Sequence, residues 1–350
     1  MHCYGNVFFL TFLEKIDEDD ETYFRVLTKI LRKITRKQSR KLLRSVMDIR
    51  TDLALERRES FEGTDVEIKG VIIEETITKR IKTTVVEISN DEASELMGKP
   101  EGRYITLELL DGIIDSDKKQ VIKVLAKEIQ KLIPQNIKGP ILVVGLGNRD
   151  VTPDSLGPKV TDSLCVSRHL IDNGGVCAVV PGVMAKSGME SAEIVKGIVD
   201  EIGVGCVIAI DSLAARSVKR LCTTIQLTDT GITPGSGVGN YRNGLNEEIL
   251  GIPVVAIGVP MVVDAATIVS DTMDALIRQL SANPGFATLH KSLNNFSEEE
   301  KYELIKELLE PQIGTLYVTP KDIDENVSIM GHVISVAINK ATDGHNISTF

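Results

Sequence analysis

The sequence predicts an α/β protein built on a mostly parallel sheet with helices on both faces. Three observations carry this. Short apolar runs (Ile141–Leu146, Val176–Val180, Cys206–Ile210 and Ile252–Ile257) have the look of strands buried on both faces. Stretches with helical character alternate with them, at Pro158–His169, Met189–Ile202 and Ala265–Leu280. Ahead of these units, the region near residues 65–110 alternates in period two and is rich in β-branched residues, which predicts an antiparallel β portion.

Taken in chain order, the first 46 residues stand apart. From Arg25 to Arg44 there are basic residues and no acids, and Arg25, Lys29, Lys33, Lys37 and Lys41 recur at every fourth position. On a helix they form one basic face beside Leu27, Ile30, Leu31 and Ile34. Residues 1–46 are read as an atypical extension: a solvated segment, a basic helix that touches a membrane surface or an acidic partner, or a stretch preceding a true start at Met47. The strands "DVEIKGVIIEETI", "KTTVVEIS" and "GRYITLEL" follow, each with one solvated face. Ile122, Leu125, Ile129, Leu132 and Ile133 mark a helix that Pro134 stops. The alternating units come next, and residues 53–341 form one domain. Ser281–Phe296 is a surface connection, Ser297 with Glu300 resembles a capping box, and residues 342–350 are a tail.

Composition removes several function classes. A formal charge of −10, 4% aromatic residues and no Trp argue against nucleic-acid binding, which needs clustered positive charge and stacking surfaces. Five cysteines without a CxxC pair point to a reducing compartment. No apolar run has the length of a membrane span, and the N-terminus lacks the basic start of a signal peptide. A cytoplasmic protein without membrane contact is expected.

The stretch "ILVVGLGNRDVTPDSLGPK" runs a buried strand into a glycine-bearing loop. "GLGNRD" has two glycines of GxGxxG but an aspartate, Asp150, at the third, where it would repel a pyrophosphate. No Walker A motif, HExxH or GxSxG elbow occurs, and the five histidines are scattered. The "DTG" at Asp229 belongs to all-β proteases, so a turn role suits Asp229 better. More telling are two aspartates at strand ends. Asp154 lies in the loop after Ile141–Leu146, and Asp211 follows Cys206–Ile210, 57 positions later. The crevice of an open α/β sheet lies outside the carboxyl ends of its strands. Two close carboxyls there would hold one proton between them, so that one activates water while the other polarises a carbonyl. The same residues would also serve as helix caps, Asp154 near Pro158 and Asp211 before "SLAARSVKRL".

Five segments then occur in order: "RTDLALE", "VVGLGNRDVTPDSLGPK", "VPGVMAKSGMES", "AIDSLAARSVKRLCTTIQLTDTGITPGSGVGN" and "GIPVVAIGVPMVVDA". Together they closely resemble the germination proteases of spore-forming bacteria, from about Met47 to about Ala341. The resemblance implies an atypical aspartic endopeptidase that degrades small acid-soluble spore proteins in the spore core. It further implies a fold similar to hydrogenase-maturation endopeptidases, a homotetramer and a zymogen shortened at its N-terminus. Asp154 and Asp211 match the family's catalytic pair, with Asn148 and Arg216 beside them as candidates for orienting or charge-stabilising roles. In the family it resembles, substrates are cut between an acidic and an apolar residue. Asp52–Leu53 therefore resembles the processing site, with 47–52 as pro-segment and residues 1–46 as either an enlarged pro-segment or a mis-assigned start. No metal or other cofactor is implied. The alternatives are a nickel-assisted maturation peptidase and a nucleotide-binding module using the glycine loops.

Overall fold

The computed structural model describes residues 53, 55, 69–110, 112, 117–172, 174–235, 243–281 and 298–343. All of them fall in one compact unit, Ile49–Phe350. The basic segment 25–44, Asp52, Ser297 and most of "PGSGVGN" lie outside the described residues.

Among the described residues the strands are β1 (Val71–Thr78), β2 (Ile81–Ile88), β3 (Gly102–Leu109), β4 (Ile141–Gly145), β5 (Val176–Val179), β6 (Cys206–Ala215), β7 (Thr224–Thr228), β8 (Val254–Asp264) and β9 (Tyr317–Val318). They form one sheet in the order β1-β2-β3-β7-β8-β6-β4-β5, with β9 paired to β8. The predicted α/β class is what the chain adopts. Its centre, β5-β4-β6-β8, is parallel. The antiparallel portion is continuous with it, because β3 pairs with β7 and β7 with β8.

The helices are α1 (Asp91–Met97), α2 (Lys118–Leu132), α3 (Leu156–Asp162), α4 (Met184–Ser187), α5 (Ser191–Ile202), α6 (Glu247–Leu250), α7 (Ala265–Ser281), α8 (Glu298–Ile313) and α9 (Ile323–Thr342). Two of the core layers explain why the central strands are apolar throughout. Ile141, Val143, Ile208, Ile210 and Ile257 pack with α2 and α9 on one face. The alternate residues Leu142, Val144, Val207, Ala209 and Val254 pack with α5 on the other. Alternation sends every second side chain to each face, so a strand covered twice needs apolar residues at every position. Each fully buried Leu, Ile or Val contributes roughly 1.5–3 kcal/mol.

Three local expectations change. β6 does not stop at Ile210 but runs to Ala215, and no helix follows it; only a single 3-10 turn forms at Val218–Arg220. The cause is β8, which stays paired with β6 as far as Ala215↔Val263 across a register shift at Leu213/Ala214. The helix expected to reach His169 ends at Asp162, and a 3-10 turn at Arg168–Leu170 follows. β7 was not expected as a strand.

Of the four cysteines described, Cys206 and Cys222 are buried, Cys177 is half-buried and Cys165 is exposed. Burial pushes the Cys206 thiol up to about 12 and Cys222 to about 11. Raised values keep both thiols neutral, and only the thiolate is alkylated. Among the four described cysteines, alkylation of the folded protein at pH 8 should therefore modify Cys165 first and reach Cys206 and Cys222 only with denaturant, as read by peptide mass mapping.

Candidate active site

The site begins where the chain leaves β4. Leu146 N–H still donates to Ile210 O at 2.8 Å, extending the β4–β6 ladder by one bond. Gly147 then turns the chain at φ +104°, a conformation that L side chains rarely adopt. A Cβ at Gly147 would stand 2.0 Å from the carbonyl oxygen of Asp154, so the backbone passes against the turn it is building. Asn148 N–H donates to that same Asp154 oxygen at 2.8 Å, and Asn148 Oδ1 accepts from Asp150 N–H at 3.1 Å. Asp154 N–H donates to Val151 O at 2.8 Å. The loop is thus closed on itself, with Asp154 ending a 3-10 turn, Thr152–Asp154.

Two ion pairs hold the loop from outside. Arg149 makes two bonds to Asp162 of α3, at 2.6 and 2.8 Å, and these hold the Asp162 carboxyl below its ordinary value. Lys186 of α4 pairs with Asp150. Asp150 is therefore engaged by α4, and its nearness to Asp154 in sequence does not define its role.

Asp154 is half-buried, and its turn packs against β6, β8 and α9. It does not cap α3, whose N-cap is Ser155. Asp211 is buried at 6% exposure inside β6. It is the first residue beyond the last β4–β6 pair, Gly145↔Ile210. Asp211 thus lies past the carboxyl end of β4 but within β6, and with no helix directly following β6 the capping role falls away. Asp211 Oδ1 accepts from Ser212 N–H at 2.9 Å. Among the described residues, Ser212 Oγ is buried without a hydrogen-bond partner.

Alternation places Asp211 on the α5 face of β6, with Val207 and Ala209. From it a polar row crosses the sheet in register: Asp211↔Gly258, Gly258↔Gln226, Gln226↔Thr106 and Thr106↔Thr84. Gln226, Thr106 and Thr84 are buried. A cavity of about 290 Å3 opens on this face, lined by Leu213, Gln226, Thr228, Ile232 and Gly258 among others. Its polar wall is a chain of hydroxyls. Tyr104 Oη donates to Pro100 O at 2.8 Å, Thr230 Oγ1 donates to Tyr104 Oη at 3.3 Å, and Thr228 and Thr230 share a bond of 2.9 Å. Burial pushes the Tyr104 phenol up to about 12, so it remains a donor across the neutral range.

The other expected residues sort differently. Arg216 lies just past β6, five positions from Asp211, which on an extended strand is about 16 Å. Its guanidinium sits over the Tyr302 ring at 5.9 Å, and Tyr302 Oη donates to Asp264 at 2.7 Å. Asp229 joins two strand ends, its Oδ1 accepting from Arg103 N–H at 2.8 Å, in keeping with a turn role. Leu53 is fully buried, whereas Asp52 is outside the described residues. Among the described residues, no three His, Cys, Asp or Glu side chains converge as ligands. Gln226, Leu213 and Ile232 were not expected at the site. The available signal was the alternation in "TIQLT", where polar residues take every second place.

A family model described as "Germination protease" matches residues 48–284 and 287–348. A germination protease of Clostridium perfringens is 45% identical over 315 residues, covering 84% of this chain and 95% of its own. One from Caldanaerobacter subterraneus subsp. tengcongensis is 46% identical over 309 residues, covering 85% and 94%. One from Bacillus subtilis is 40% identical over 343 residues, covering 84% and 93%. Among solved structures, a [NiFe] hydrogenase maturation protease HycI from Thermococcus kodakarensis overlays 38% of this chain and 80% of its own. At 19% identity and a TM-score of 0.29, that overlay is too loose to bear on the site.

The closed loop makes a direct demand on Gly147. Gly147→Ala should cost about 1–3 kcal/mol in urea denaturation, from strain at positive φ and the contact with Asp154 O. Gly197, exposed within α5 with open space at its Cβ, is the control. Gly197→Ala should leave stability unchanged or raise it by up to about 1 kcal/mol.

Proposed function

The chain belongs to the germination protease family, and we propose that it is an endopeptidase that starts the degradation of small acid-soluble spore proteins during germination. The observation that carries the mechanistic reading is the buried carboxyl of Asp211. It stands where β4 ends, beside the turn that bears Asp154, on the sheet face that opens to the cavity.

In this reading Asp154 and Asp211 share one proton. The ionised carboxylate takes a proton from water as the water oxygen adds to the peptide carbonyl carbon. The protonated carboxyl donates a hydrogen bond to the carbonyl oxygen and stabilises the charge that develops there. Collapse of the tetrahedral intermediate breaks the C–N bond, and the amine leaves with a proton supplied by the pair. A buried position favours this division of labour, because two carboxylates out of water cannot both ionise cheaply. Asn148 acts as a positioning residue through its backbone bond to Asp154 O. Arg216, stacked on Tyr302, contributes by steadying the far end of β6.

The same reading makes the chain a zymogen, cut at Asp52–Leu53, that works as a homotetramer in the spore core. Its acidic character, with formal charge −10, suits a soluble enzyme that handles protein without holding nucleic acid.

Two experiments test it. Asp154→Asn and Asp211→Asn should each reduce cleavage of a purified spore protein by at least about 1,000-fold with folding intact by circular dichroism. Asp229→Asn should retain turnover, since that side chain serves a strand junction. Substantial activity in either of the first two variants defeats the assignment. Separately, intact-mass analysis of protein from sporulating cells should find a chain beginning at Leu53, and a mature chain that begins elsewhere removes the processing site.

A further inference from the structure

Leu53 is 0% exposed and packs in a small apolar cluster with Leu213, Ala215 and Ile232. The place of that cluster, rather than its burial, is what matters. Leu213 is two residues beyond Asp211 on β6, and before the register shift, so the two side chains share a face about 7 Å apart. Leu213 also leans back toward Asp211's own row. A Cβ on Gly258, the register partner of Asp211, would stand 2.4 Å from Leu213 Cδ1. Only glycine leaves that room. Leu213 and Ile232 in turn form the apolar wall of the 290 Å3 cavity. The leucine seat therefore shares Leu213 and Ile232 with the cavity that carries the row of hydroxyls, two residues along β6 from Asp211.

We infer that the seat formed by Leu213, Ala215 and Ile232 is the subsite for the side chain that follows the cleaved bond, and that Leu53 fills it as substrates do. The inference rests on the protease reading above. A bond one residue before a side chain held on Leu213 falls within reach of Asp211, whereas the seat itself is apolar and enclosed. It thus selects an aliphatic residue after the cut and leaves the preceding residue to be chosen elsewhere. Leu53 in this position occupies the seat that a substrate side chain would take, and an incoming protein must displace it. The cavity beyond, walled by Gln226, Thr228 and Tyr104, then receives the substrate backbone that runs on from the seat.

The test uses the full chain after processing, with peptides that differ only at the residue after the cut: Leu, Ala or Phe. Wild-type protein should favour Leu over Ala by at least about 10-fold in kcat/KM, the range that a few methylenes supply in an apolar pocket. Ala215→Val narrows the seat and should bring the Leu-to-Ala ratio close to one or below. Ile232→Ala widens it and should raise Phe relative to Leu by at least about 10-fold. The two variants err in opposite directions, so if one fails to fold by thermal melting the other decides. A residue that merely fills the core would alter stability and leave these ratios alone. Wild-type ratios in a folded, active variant overturn the subsite and leave the protease reading standing. No turnover of any peptide or spore protein by wild type overturns the protease reading, and the subsite with it.

Discussion

The way the backbone leaves β4 governs the rest of this edge. One hydrogen bond, from Leu146 N–H to Ile210 O, carries the β4–β6 ladder a residue past the strand. At the next position the chain must turn against its own 3-10 segment, close enough that a Cβ at Gly147 would meet Asp154 O at 2.0 Å. These two contacts fix the loop that bears Asp154 relative to the strand that bears Asp211. The loop's other bonds, through Asn148, Arg149 and Asp150, hold a geometry already set. A backbone contact of this kind tolerates no side chain, so the constraint is steric before it is electrostatic.

The sheet supplies the second half of the candidate site by being unlike an ordinary parallel sheet. β6 and β8 continue paired well beyond the end of β4. Past Ile210, β6 has β8 on one side and the loop on the other, so a polar residue can enter a strand that is otherwise apolar. The antiparallel strands β7 and β3 then extend the same face, and their inward residues are Gln226, Thr228, Tyr104 and Thr106. Buried polar groups are costly unless hydrogen-bonded. Here the bonds among Tyr104, Thr228 and Thr230 satisfy the wall locally, which leaves a rigid polar surface facing the cavity.

Much of this was legible in the sequence, and the exceptions share a cause. The central strands declared themselves because burial on both faces demands unbroken apolar runs, as in Ile141–Val144. Asp154 and Asp211 could be singled out because strand ends are where an α/β sheet opens. Around Asp211 the strand end lies elsewhere than expected: Ser212–Ala215, with one Leu and two Ala, is compatible with helix or strand, and only pairing with β8 settles it. β7 has five residues, and a segment that short is decided by its neighbours on both sides. The polar row and the Leu53 seat depend on register and on contacts 160 positions apart, and no local pattern encodes either.

Two aspartates that look alike in sequence illustrate why environment outranks motif. Asp229 sits in "DTG", the better-known signature, yet it is exposed and spends its carboxylate on Arg103 N–H at a strand junction. Asp211 has no signature beyond the strand before it, yet it is buried in a central strand. A carboxyl in water gains little by chemistry that a solvent ion could not supply. A carboxyl held in a low-dielectric strand interacts strongly with whatever charge or proton comes near it. Gly258 and Leu213 sharpen that difference, because the missing side chain opposite Asp211 is what lets an apolar wall come up to the acid. The chemistry and the selection of an aliphatic neighbour would then both depend on one register pair, Asp211↔Gly258.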